Sequence, residues 1–316
     1  MFGNSINKNY SKVLLNLKIL CKKKNIYYEN LQKRGINKLK SKGIIIFFKY
    51  FILISILILF LTPIIYQVIN GFKTEGQIYD PKQIASFNEL SLTSWKEVVE
   101  KQHFQRYLIN TLIASLSSTF IVMLLAIPAA YGLAKLKMAK RMRNNLSFEF
   151  LSMRMLPGIA VIIPIFVIYK KIGLLYTLPG LIILYVVFNI PLAVWLLEGF
   201  FREVPSEIIE AARIEGCTSR QELTNVAIPL SGPGIMSVGI LTFIFTWNEY
   251  MFASVLTNDA TRTMPVWAAY TTYQHYIINY STLGIAATVM IIPVIIFAML
   301  MQKYLVRGLS LGALKE

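Results

Sequence analysis

The chain has 316 residues, 55% hydrophobic and 15% charged, with a mean hydropathy of +0.55 and a formal net charge of +16. A soluble globular domain carries about 25% charged residues, so this balance excludes an ordinary soluble protein. A nucleic-acid module is also disfavoured: residues 1–42 hold eleven Lys and Arg against Glu29 alone, but they precede an apolar stretch and lack aromatic–basic interleaving.

In chain order, residues 1–43 read as a basic cytoplasmic extension, since Lys and Arg beside a first span stay inside. Within it, Val13, Leu14, Leu17 and Leu20 share one helical face among lysines. Two readings stand: an amphipathic helix on an anionic inner leaflet, or a basic tail without defined structure. A bilayer core of ~30 Å needs about 20 apolar helical residues. Six stretches meet that: Tyr50–Val68, Thr111–Ala134, Phe148–Ile168, Leu178–Leu197, Ile235–Leu256 and Leu283–Met301. The first starts too far in, and is too long, for a cleaved signal peptide. Pro128, Pro157, Pro164, Pro191 and Pro293 fall within the spans and imply bent helices. The expected fold is all-α, a polytopic bundle of six transmembrane helices over residues 44–316.

Charge sets the orientation. Lys135, Lys137, Lys140, Arg141 and Arg143 put the segment between spans two and three inside. Segment 70–107 is balanced and segment 257–282 nearly uncharged, so both lie outside. Both termini are then cytoplasmic in a multi-pass membrane chain. Cys21 and Cys217 fall on the reducing side and form no disulfide or metal pattern.

The loop between spans four and five, residues 200–234, carries the most information. Ser206 is a candidate N-cap, Glu207 suits a positive helix start, and Gly216 is a natural helix stop. Ser219 with Glu222 reads as a capping box opening a second short helix. The small Ala211 and Ala212 would let another backbone approach, and Pro229 stands before span five.

Glu210-Ala211-Ala212, Gly216 three residues on, and Val226-x-Ile228-Pro229 nine residues later resemble the EAA loop of binding-protein-dependent ABC importer permeases. Val226 and Ile228 depart conservatively from that family's Ile and Leu. Asn110-Thr111-Leu112, Trp247-Asn248-Glu249-Tyr250 and the ending Val306–Ala313 resemble its carbohydrate branch, specifically the maltose-type inner-membrane subunit. The likeness covers about residues 45–316. It implies a permease of a bacterial cytoplasmic (inner) membrane, with no catalytic residues, metal or cofactor of its own. ATP and Mg would be bound by two separate ABC ATPase subunits, coupled through Glu210, Ala211, Ala212, Gly216 and Pro229. A second, non-identical permease would complete the pathway, and an extracytoplasmic binding protein would deliver a sugar or oligosaccharide. No Gly-x4-Gly-Lys-Ser/Thr loop occurs in the sequence, in keeping with that division.

A charge at membrane depth costs about 2.5–3.5 kcal/mol on insertion scales, so it faces protein or water. Glu249, beside Trp247 and Asn248, is open to two readings: a pathway or gate residue, or a helix–helix partner, for instance of Arg154. Asn189, just before Pro191, is a further pathway candidate. Arg154 can alternatively snorkel to the inner surface. Tyr66, Trp95, Tyr107, Trp267 and Tyr270 read as an outer aromatic belt. The rival functions are an ion-coupled secondary transporter, which lacks an explanation for the loop, an intramembrane enzyme and a scaffold. Against the enzyme, no Asp lies in a span, His103 and His275 are in loops, and no His-Glu-x-x-His occurs.

Overall fold

The computed structural model describes residues 46–80, 90–101, 103–135, 139–272 and 279–312, and among these every regular element is helical. The amphipathic stretch 11–21 and His275 lie outside the described residues. The chain falls into two units, Met1–Ile65 and Tyr66–Glu316. In the first, 46–65 belong to α1 (Ile46–Asn70), whose Phe47, Phe51, Leu57, Leu59 and Phe60 are all exposed. A helix apolar all round suits lipid, because its backbone groups are satisfied internally.

The second unit continues with α2 (Glu75–Tyr79), α3 (Thr93–Lys101), α4 (Phe104–Lys135), α5 (Lys140–Arg154), α6 (Gly158–Ile172) and α7 (Leu178–Glu203). Then come α8 (Ser206–Ile214), α9 (Ser219–Gln221), a π-helical segment (Glu222–Ala227) and α10 (Ile228–Leu230). The last elements are α11 (Gly232–Trp247), α12 (Met251–Leu256), α13 (Met264–Thr272) and α14 (Tyr280–Gly312).

Four helices are long and apolar enough to cross a membrane: α1, α4, α7 and Tyr280–Leu300 of α14. Two bent pairs bring the number to as many as six, Arg141–Arg154 with Gly158–Ile172 at 81° and Ser219–Leu230 with Gly232–Trp247 at 82°. The expected third span, Phe148–Ile168, is therefore not one helix. Pro157 has no N–H and biases Leu156 away from helical backbone; it takes an extended conformation, φ −63° and ψ 122°, before α6 starts. The expected fifth, Ile235–Leu256, is also interrupted. α11 stops at Trp247, and the chain resumes helix at Met251. Pro128, Pro164, Pro191 and Pro293 all stay inside their helices.

The centre of the unit is α4 packed along α7, with α11 against both. α4 achieves this with small residues: Ala114, Ser115, Ser118, Ala126 and Ala130 are fully buried. Small side chains let helix backbones approach, and that contact replaces a hydrophobic driving force in lipid. The two serine hydroxyls donate to carbonyls one turn back, Thr111 and Ala114, at 2.7 and 2.6 Å, so neither is left unpaired. Towards the other end, Asn110 Nδ2 donates to the carbonyls of Ala260 and Arg262, each at 3.0 Å, and the Met264 amide donates to Thr111 Oγ1 at 2.8 Å. Asn110-Thr111 thus pins the turn between α12 and α13. The aromatic belt needs correction here. Tyr107 and Trp267 are buried and stack at 6.2 Å, and Trp95 lies against Phe72 at 5.6 Å, whereas Tyr66 and Tyr270 are exposed.

Candidate functional site: the loop between α7 and α11

α7 ends at Glu203, and Lys135 Nζ at the end of α4 donates to the Val204 carbonyl at 2.6 Å. α8 opens one residue earlier than the sequence suggested. Pro205 occupies the N-cap position, Ser206 is the first helical residue, and neither supplies a side-chain cap bond. Glu207 in the first turn still complements the helix start.

The end of α8 follows from Gly216. Its φ of +87° is open to glycine and costly for residues with a Cβ. The Gly216 amide donates to Arg213 O and the Cys217 amide to Ala212 O, each at 3.0 Å. These two bonds are a Schellman arrangement, which satisfies carbonyls the helix end would leave open. The next helix starts with a capping box, but on Thr218 and Gln221 rather than Ser219 and Glu222. Thr218 has the extended backbone of an N-cap; its amide donates to Gln221 Oε1 at 2.8 Å, and its hydroxyl oxygen accepts from the Gln221 amide at 3.4 Å.

That one-residue shift frees Glu222 for another task. Its side chain is turned inward and only 2% exposed. Arg213 Nε donates to one carboxylate oxygen at 2.8 Å, and Arg213 Nη2 and the Tyr131 hydroxyl donate to the other at 3.1 and 2.9 Å. The hydrogen bond from Arg213 holds the Glu222 carboxyl below the usual carboxylate range, and the same bond raises Arg213. α8 therefore has two faces. Ile209 and Ala212 pack inward, while Glu207, Glu210, Ala211 and Ile214 stay exposed, Ile214 to 88%. Of the expected coupling residues, Glu210, Ala211, Gly216 and Pro229 lie on the open surface and Ala212 is buried.

The expected pathway set is dispersed. Trp247 is fully buried, and its Nε1 donates to Met290 O of α14 at 3.0 Å. Asn248 is exposed and donates to Ile244 O at 2.9 Å. Asn189 is buried; its Nδ2 donates to Tyr185 O at 2.7 Å, and its Oδ1 has no partner among the described residues. Glu249 joins two elements: the Tyr185 hydroxyl and the Ala253 amide donate to one oxygen at 2.9 and 3.1 Å, and the Phe252 amide to the other at 2.7 Å. It thereby caps α12 and ties it to α7. The pairing of Glu249 with Arg154 is not formed: no bond joins them, and the carboxylate is held by Tyr185 and the start of α12. Arg154 Nη1 instead donates to Phe188 O at 2.9 Å, ten residues into α7, and its guanidinium lies 5.2 Å from the Phe245 ring centroid. A bond to that depth of α7 also replaces snorkelling to the inner surface.

Sequence reasoning missed Tyr131, Arg213 with Glu222, Tyr185 and Glu198. Glu198 was legible: a carboxylate at the end of an apolar run with Arg202 four residues on is a helical pair, and the structure forms that pair, with Ser147 donating to the same carboxylate at 2.6 Å. The nine-residue separation of Arg213 and Glu222, across a helix stop, carries no periodic signal.

The chain is similar to known proteins. The family model described as "Binding-protein-dependent transport system inner membrane component" matches residues 123–311, which include the whole loop. The trehalose transport system permease protein SugB of Mycobacterium tuberculosis is 34% identical over 258 residues, 81% of this chain and 92% of that protein. The trehalose/maltose transport system permease protein MalG of Thermococcus litoralis is 32% identical over 274 residues, 84% and 94% respectively. Among solved structures, a chain of a bacterial ABC transporter involved in the import of the acidic polysaccharide alginate superposes with a TM-score of 0.70. The superposition covers 84% of this chain and 97% of that one at 23% identity, a likeness of fold.

Proposed function

The chain belongs to the family of binding-protein-dependent transport system inner membrane components, and from that premise we propose that it forms half of the pathway of an ATP-driven importer for a sugar or oligosaccharide. Residues 44–316 are the permease domain, and residues 1–43 a basic extension on the cytoplasmic side. A second, non-identical permease completes the pathway. Two ABC ATPases hold ATP and Mg, and an extracytoplasmic binding protein delivers the solute. Loop 200–234 faces the cytoplasm and docks an ATPase through α8. The sugar assignment draws on relatives named for trehalose and maltose transport. Asn189 and Asn248, the first with an unpartnered buried oxygen and the second exposed, are the pathway candidates. Trp247 and Glu249 serve to hold the helices that line it.

The observation that carries the docking reading is Ile214. It is 88% exposed and stands on the outer side of α8 with exposed Ile208, Glu210 and Ala211, a helix outside the spans, and we assign that surface to the ATPase contact. Affinity purification of the tagged chain from its native membrane is the test. The wild type should bring down an ATPase and a different permease. Ile214→Glu should lose most of the ATPase and keep the permease; retention of both in wild-type ratio would refute α8 as the docking element.

A further inference from the structure

Glu222 presents a problem that docking alone does not solve. A carboxylate buried at 2% exposure and paired with an arginine is weak evidence of stabilisation, because apolar residues of similar volume usually do as well. Such groups are better explained where they fix a register or join elements that move together. Glu222 joins three. Arg213 belongs to α8, Glu222 opens the π-helical segment, and Tyr131 belongs to α4. π-Helical turns are uncommon and concentrate at functional positions, and this one begins at the residue that makes the join.

We propose that Tyr131, Glu222 and Arg213 are the joint through which displacement of α8 is passed to α4, the helix at the centre of the bundle. The proposal rests on the reading of α8 as the ATPase contact. Each end of the joint is held. Tyr131 is buried, and its ring meets Phe201 of α7 edge-on at 5.7 Å. Arg213 lies on the flank of α8 between exposed Glu210 and buried Ile209, reaches inward to Glu222, and also supplies the carbonyl that accepts the Gly216 amide. A push on Glu210, Ala211 and Ile214 therefore reaches Glu222 through two guanidinium bonds, and reaches α4 through one hydroxyl. From α4 it spreads along the small-residue seam to α7. The bond from Lys135 to the Val204 carbonyl fastens the same end of α4 to the turn that precedes α8. These three are positioning residues and touch neither solute nor nucleotide.

Tyr131→Phe removes only the hydroxyl, leaving the Arg213–Glu222 pair and the ring contact intact. The assembled complex, reconstituted with its binding protein, is read for solute transported per ATP hydrolysed. The expected result is a ratio lowered about five-fold or more, with subunit composition by size-exclusion chromatography unchanged. A ratio equal to wild type, with or without a lower melting temperature, would overturn the joint and leave a structural bond. Where Tyr131→Phe impairs assembly, Arg213→Ala and Arg213→Lys are compared. Lys above Ala in the same ratio supports the joint, and Ala equal to wild type refutes it. A wild-type chain that captures no ATPase would instead sink the docking reading, an outcome separate from either of these.

Discussion

Glu249 illustrates how a single residue changes meaning once its neighbours are known. In the sequence it is a carboxylate within an apolar span, and such a group is a functional candidate by default. In the structure its two oxygens take three donors, from Tyr185, Phe252 and Ala253, and the residue lies in the break between α11 and α12. A glutamine offers one carbonyl oxygen and turns a donor towards an N–H, so Glu249→Gln should lower stability by about 1–3 kcal/mol, the cost of leaving a buried donor unsatisfied. Tyr185→Phe, which removes one donor and leaves the α12 cap, should cost less. Thermal unfolding of the assembled complex gives both values, and an unchanged midpoint for Glu249→Gln would show that the cap is not needed. The carboxylate itself was legible in the sequence. Its partners were not, because Tyr185 is 64 residues away on another helix and tyrosines in spans are common.

At the scale of elements, the loop was legible where backbone chemistry dictates it and not where a one-residue register decides. Gly216 was expected to stop a helix and does so, with a φ of +87° and both Schellman bonds. The caps at either side were expected at Ser206 and Ser219 and stand at Pro205 and Thr218. Thr218 and Ser219 are both good N-caps, and at Pro205 no side chain caps at all, so local pattern does not resolve the register. The consequence is large, since the shift turns Glu222 from a cap into a buried partner of Arg213. Spans followed the same rule. Apolar length located them; Pro157 announced a bend where the structure breaks the helix at Met155–Pro157, whereas the break at Asn248–Tyr250 is averaged away by a hydropathy window. A prediction at this scale uses Gly216, where an added Cβ meets nothing within 4 Å and the only cost is conformational. Gly216→Asn, which tolerates left-handed backbone, should keep most solute-stimulated ATP hydrolysis; Gly216→Val, β-branched, should lose most of it. Equal activity in the two variants would mean that the aim of α8 does not depend on this turn.

For the molecule as a whole, composition and charge were enough to exclude a soluble protein, and one loop of about thirty residues was enough to suggest the family. The second unit of the permease has α4 and α7 as a packed centre and a polar, capped loop joining α7 to α11. Its helices are held by small-residue contacts along α4, by three clusters of buried apolar side chains around residues such as Leu197, Leu181 and Trp267, and by backbone-directed polar bonds. On this account ATP hydrolysis by partner subunits moves the loop, and the loop moves the helices. An ion-coupled secondary transporter would need neither the partners nor the loop. The most direct test is uptake of a labelled oligosaccharide into vesicles holding the purified complex, with binding protein on the side of segment 257–282. Uptake that requires ATP on the loop side and the binding protein, and persists when ionophores collapse all ion gradients, is the result predicted. Uptake driven by an ion gradient without ATP would contradict it.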